Sequence, residues 1–211
     1  MRVLPKSLIK ISLPFGISQN QVRKFLEKNT DWIIRRRQEL EFRTEVIPIQ
    51  FIDGQRLPFY GEELVLQIVF TTSKNKKPII TKYEKILSVE LGSAADQQLI
   101  KKHIIRWYQN QMLLKINSRV DFYSAAIGVK PTSIKIRNYK SRWGACSSKG
   151  ALIFNWQIIS FKPELFDYVV AHEVCHLVHM NHSPAFYKLL AELGFYKKEV
   201  HKQIRPLKNI F

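Results

Sequence analysis

HEVCHLVHMNH, residues 172–182, carries four of the chain's six histidines. On a helix His172 and His176 stand about 40° apart around the axis and about 6 Å apart along it. Their imidazoles can therefore converge on one ion at bonds of about 2.0 to 2.1 Å. Glu173 projects beside that site, so the H-E-x-x-H spacing supplies two ligands from one helical face and a carboxylate able to take a proton from a metal-activated water. A third ligand must come from elsewhere. On an unbroken helix His179 would lie about 10.5 Å along the axis from His172, too far for both to bind one ion. Asn181 suits the left-handed conformation that reverses a chain, and Ser183-Pro184 reads as the N-cap and first position of a new helix. A tight turn there would return His182 over the pair, giving His172, His176 and His182 as ligands and a fourth, open tetrahedral position.

Alternatives to that set come from the same residues. A closed structural site would need a fourth protein ligand. Cys175 points about 100° around the helix from His176, away from the metal face, whereas Cys146 stays open for the part. Glu192 is a carboxylate alternative as third ligand, although the helix after Pro184 already spends Phe186, Leu189, Leu190 and Leu193 on an apolar face. His179 is open to a surface position, support of a ligand, or substrate contact.

The helix bearing the pair ends a longer order of elements. Ser18 with Gln21 makes a capping box, and Val22, Phe25, Leu26, Trp32, Ile33 and Leu40 predict a helix over about 19–42. In GEELVLQIVF, Leu64, Leu66, Ile68 and Phe70 alternate as in a strand, KILSVEL continues that character, and TTSKNKKP at 71–78 reads as a hairpin loop. Ser93 and Asp96 open a helix of about 30 residues through Leu99, Ile100, Ile104, Trp107, Leu114 and Val120 towards Gly128. SIKIRNY and ALIFNWQII read as strands with KSRWGACSSKG as a turn between them. Pro163 then starts the helix running through FDYVVAHEVCHLVHM, and Pro184 starts the last one. The expectation is an α+β fold: a strand-rich lobe with one helix over 1–92 and a catalytic domain over 93–211.

Composition bounds the setting. At 211 residues and 45% apolar content the chain can bury a core. Two cysteines are too few for a disulfide framework and fit a reducing compartment. Pro5, Lys6, Lys10 and Pro14 interrupt the opening before any run long enough for a signal peptide, and no window reaches the ~20 apolar residues of a membrane span. A cytoplasmic protein without membrane contact is expected, with the oligomeric state open. Thirty-four Lys and Arg against seventeen Asp and Glu leave a formal charge of +17. RRR at 35–37, KNKK at 74–77, Lys101-Lys102 and Lys197-Lys198 spread it along the chain, as either a solvated surface or a footprint for nucleic acid or nucleotide.

RNYKSRWGACSSKGALIFNW followed by FDYVVAHEVCHLVHMNHSPAFYKLL resembles the YgjP-like zinc metallopeptidases, marked by a K-x-R-W-G-x-C-S turn, a strand, H-E-L-x-H and a downstream N-H-S-x-x-F. The likeness is specific over about 130–195 and looser over FLEKNTDWIIRRRQEL and GQRLPFYGEELVLQI. It implies a zincin-like domain, one zinc held by His172, His176 and His182, and Glu173 as general base. A more distant similarity to WLM and SprT-type proteases, which act on DNA-crosslinked proteins, shows in His182 followed by Phe186.

These residues support peptide hydrolysis first, with ALIFNWQII as an edge that could pair with an extended substrate. Arg142, Tyr139, Tyr168 and Tyr187 are candidates for oxyanion contact, and Arg142 and Trp143 serve either the turn's own structure or the substrate. Two rivals stay open: attack on a nucleotide's phosphoanhydride, for which no Gly-rich phosphate loop is present, and a nucleic-acid-binding module with the protease attached.

Overall fold

The structure, a computed structural model, describes residues 2–3, 9–13, 15–34, 49–73, 77–139 and 141–196. Packing divides the chain into two units, Met1–Ile47 and Pro48–Phe211. In the first, β1 (Arg2–Val3) pairs antiparallel with β2 (Ile9–Lys10), and α1 spans Gln19–Lys28. Ser18 and Gln21 form the expected capping box: the Gln21 amide donates to Ser18 Oγ at 3.3 Å and the Ser18 amide to Gln21 Oε1 at 2.9 Å. The helix expected to about residue 42 is interrupted at Asn29, whose side-chain amide donates to the Phe25 carbonyl at 2.7 Å in competition with the backbone ladder. Residues 30–34 are helical again, and the rest of that prediction lies outside the described residues.

The second unit begins with a hairpin of β3 (Arg56–Phe59) and β4 (Glu62–Thr71). Its two-residue turn puts Tyr60 at φ 47° and Gly61 at φ 85°, the pair of positive values that matches strand twist. β5 (Ile79–Tyr83) and β6 (Ile86–Gly92) complete a sheet of order β3-β4-β6-β5, with β4 and β6 parallel and β5 and β6 antiparallel. The 71–78 segment therefore does not close a hairpin. It links β4 to the far edge strand across β6, because β6 carries the fully buried Leu87, Val89 and Leu91 and takes the central place. The largely exposed β5 suits an edge.

The long helix α2 runs Gln97–Ala126, capped by Asp96, which accepts from the Leu99 amide at 2.8 Å. Ile100, Ile104, Tyr108, Met112, Ile116, Val120 and Ser124 are buried at a step of four. Such a step drifts about 40° each time, so the buried stripe winds around the axis and the two halves serve different neighbours. Near its start Gln97 donates to the Phe51 carbonyl at 2.9 Å, and Tyr108 donates to the Pro58 carbonyl at 2.9 Å. Near its end Arg119 forks onto Asp167, Nε to Oδ1 at 2.7 Å and Nη2 to Oδ2 at 2.5 Å. Leu114, expected on the apolar face, points to solvent at 73% exposure because it lies off this stripe.

The site's scaffold follows: β7 (Ser133–Arg137), β8 (Gly144–Cys146) and β9 (Ala151–Asn155), a buried 3-10 turn at Trp156–Ser160, α3 (Pro163–Cys175) and α4 (Pro184–Glu192). The sheet order is β7-β9-β8. Two expectations change. ALIFNWQII is a strand only to Asn155, and that strand is central rather than an edge. The RWGACSS stretch, read as a turn, itself supplies β8, the edge antiparallel to β9. The mixed α+β class stands. No helix among the described residues is long and apolar enough to cross a membrane.

Candidate active site

α3 carries His172 and Glu173 in its last turns and ends at Cys175 rather than running on through Met180. His176 is its C-cap at φ −68°, ψ −15°, still close enough to helical geometry to keep the four-residue relation to His172. Beyond it the chain turns, and Ser183 caps α4 by accepting from the Phe186 amide at 3.3 Å, which sets the place of His182 immediately before the cap. The three rings form a nearly equilateral triangle, with centroids 5.0 Å apart for His172 and His176, 5.0 Å for His172 and His182, and 4.8 Å for His176 and His182. Fully buried Phe186 lies 4.6 to 5.0 Å from all three and closes one side of the triangle.

This donor set fits a metal ion. The ligand atoms of His172, His176 and His182 all lie within 4.8 Å of one another, and Nε2 of His182 faces Nε2 of His172 at 3.0 Å. Tetrahedral bonds of about 2.0 to 2.1 Å place ligand nitrogens about 3.3 Å apart, close to that separation. His176 Nδ1 lies 2.9 Å from the His179 carbonyl. A carbonyl only accepts, so Nδ1 carries the proton and Nε2 keeps the lone pair. Burial pushes His176 below the ordinary imidazole value, with His182 acting in the same direction against the raising effect of that hydrogen bond, which favours the neutral form a ligand needs.

Glu173 is 7% exposed, and burial pushes its carboxyl up to about 8 while Arg142 pulls the other way. β8 approaches it so closely that a Cβ on Gly144 would stand 2.5 Å from Glu173 Cγ and 2.6 Å from Oε1. A glycine there lets the edge strand lie against the carboxylate.

Asn155, fully buried at the end of β9, pins the loop ahead of β8. Its side chain donates to the carbonyls of Tyr139 at 2.8 Å and Arg142 at 3.2 Å, and its backbone amide donates to the Trp143 carbonyl at 2.8 Å. Trp143 meets Phe161 edge-on at 4.8 Å, so the indole covers core on one side and lines a cavity of about 200 Å³ on the other. Tyr168 and Val169 line the same cavity beside His172 and Glu173. The other end of the cleft is formed by Ala145, Cys146, Met180 and His182, and Arg142 borders both parts. The exposed Arg142 guanidinium sits 5.4 Å from the Tyr139 ring centre. Tyr187 stacks on His182 at 6.1 Å.

Four residues weighed from the sequence stand outside the histidine group. His179 contributes its carbonyl rather than its ring, Glu192 is exposed on α4, Cys175 is fully buried, and Cys146 lines the cleft with its thiol pushed up by burial and by Glu173. Asn155 escaped sequence reasoning, and the glycine beside Trp143 is legible there as one that lets backbones approach, but not as the neighbour of Glu173. Asn155 had left a trace, since a polar residue at the end of an otherwise apolar strand is unusual.

A family model described as YgjP-like, metallopeptidase domain, matches residues 1–205. No curated protein matches the chain. Among solved structures, the metallopeptidase zymogen of Pyrococcus abyssi abylysin shares 19% identity over 42% of this chain and 90% of its own, with a TM-score of 0.39. The zymogen of Methanocaldococcus jannaschii jannalysin shares 23% identity over 43% of this chain and 83% of its own, with a TM-score of 0.37.

Proposed function

The chain belongs to the YgjP-like metallopeptidase family, and on that premise we propose that it hydrolyses peptide bonds with one zinc ion held by His172, His176 and His182. The triangle of imidazoles beside the buried Glu173 carries the reading. When bound, the ion supplies Lewis acidity to a water and to the scissile carbonyl. Glu173 takes the water's proton on a carboxylate oxygen and returns it to the leaving amine. Phe186 holds the imidazole planes, and the His179 carbonyl fixes the His176 tautomer, so the ligands are oriented before any ion arrives.

Among the described residues β8 pairs on one side only, and all three of its residues line the cleft, which supports an extended substrate strand adding along it. Every residue of this proposed machinery lies in the 93–211 stretch that we regard as the catalytic portion. Two free cysteines support a reducing, cytoplasmic setting.

Incubating the pure zinc protein with unfolded protein and with nucleoside triphosphates tests the reaction class. Peptide cleavage that disappears in Glu173→Gln is expected. Pyrophosphate release lost in Glu173→Gln, with no peptide cleavage by the parent, would overturn the proposal in favour of phosphoanhydride hydrolysis.

A further inference from the structure

Between Asp121 and Glu164 the sequence has no Asp or Glu, against seven Lys and Arg. This stretch folds into the three-stranded sheet that walls one side of the cleft, so that wall carries positive charge without internal compensation. Most of these side chains point into solvent, but Arg142 borders both parts of the cleft, next to Glu173. Its backbone is held through its own carbonyl and those of Tyr139 and Trp143 by fully buried Asn155. Among the described residues Arg142 forms no ion pair: its guanidinium lies by the Tyr139 ring and acts on Glu173 from beyond ion-pair distance. A guanidinium on a fixed loop, near Glu173 but in no ion pair with it, is built to receive a carboxylate from outside, because its planar fork matches the two carboxylate oxygens.

We infer that Arg142 sets the specificity of this site by binding a carboxylate of the peptide substrate, from an acidic side chain near the scissile bond or from the chain terminus. The inference rests on the peptidase reading above. A nucleic-acid strand, the other polyanion the charge could serve, would be tracked by a row of cations, whereas among the described residues the cleft presents one guanidinium beside a buried carboxylate. The peptide is the better match.

Binding is measured on zinc-loaded Glu173→Gln with fluorescent peptides paired as Glu against Gln at positions flanking the cleaved bond, and as free acid against C-terminal amide. The acidic member of one pair should bind about 10- to 100-fold more tightly, the range for a charge-assisted hydrogen bond. That ratio should fall to about 1 when Arg142→Gln is added and persist with Lys149→Gln, an exposed cation in the β8–β9 turn. In the parent enzyme the same ratio should appear in KM rather than kcat. Equal binding of every pair, a ratio that survives Arg142→Gln, or single-stranded DNA displacing the peptide with the same dependence on Arg142 would each overturn the inference. Peptide cleavage without acidic preference refutes this inference alone, while absence of any peptide cleavage refutes the reading beneath it.

Discussion

Gly144→Ala isolates the contact between edge strand and base. A Cβ at this position would stand 2.5, 2.6 and 2.7 Å from Glu173 Cγ, Oε1 and Cδ. Ordinary contact begins at 3.4 Å, so the two groups must separate by about 1 Å. The strand has little room to yield, since Gly144 pairs with fully buried Phe154 and the preceding Trp143 carbonyl is bonded by the Asn155 amide. Gly144 is also free of positive φ, so alanine introduces no backbone strain to confuse the result. Glu173 therefore takes the displacement. A misplacement of 1 Å in catalytic geometry costs about 100-fold. Peptide turnover should fall by about that factor in kcat, with metal content unchanged by mass spectrometry because the added methyl meets Glu173 rather than a ligand. Turnover within about 3-fold of the parent, with metal and fold intact, would show that the close approach does not position the base, and metal loss in step with activity would show that the overlap is relieved through the histidines.

Other variants probe the remaining parts. Glu173→Gln should keep about one zinc per chain and lose about 100- to 10,000-fold in turnover, since it removes the base and leaves the ligands; metal loss in this variant would contradict the assigned role. His176→Ala and His182→Ala should each lose the metal in equilibrium dialysis, and His179→Ala should retain it because only the carbonyl of that residue is used. Retention in His182→Ala with loss in His179→Ala would reverse the assignment. Asn155→Ala strands two loop carbonyls and should destabilise the fold by about 2 kcal/mol, lowering Tm by about 4 to 8 °C in a chain of this size. An unchanged melting curve would show that the loop holding Arg142 is fixed by other contacts.

The reading of the HExxH helix shows how far one-dimensional order reaches. Spacing by four along a helix is a local property, so the convergence of His172 and His176 with Glu173 beside them was legible directly, as were the Asp96 and Ser18 caps and the 30-residue span of α2. His182 was legible because Asn181 and Ser183-Pro184 are turn and cap chemistry acting over a few residues. Strand neighbours were not. Alternation places a residue on a face but does not say which strand lies beside it, so β4 was joined wrongly to the strand that follows 71–78, and β9 was taken for an edge that β8 occupies. Likewise, only the packed structure shows that Gly144 meets Glu173, that Phe186 backs all three imidazoles, and that Asn155 holds the Arg142 loop. The spacing of the histidine pair and the starts of the helices could be read from the residues alone, because these follow from backbone geometry within a turn or two. Tertiary structure decided the edge strand, the approach to the base and the placing of Arg142, because those depend on which distant segments bury one another's surfaces.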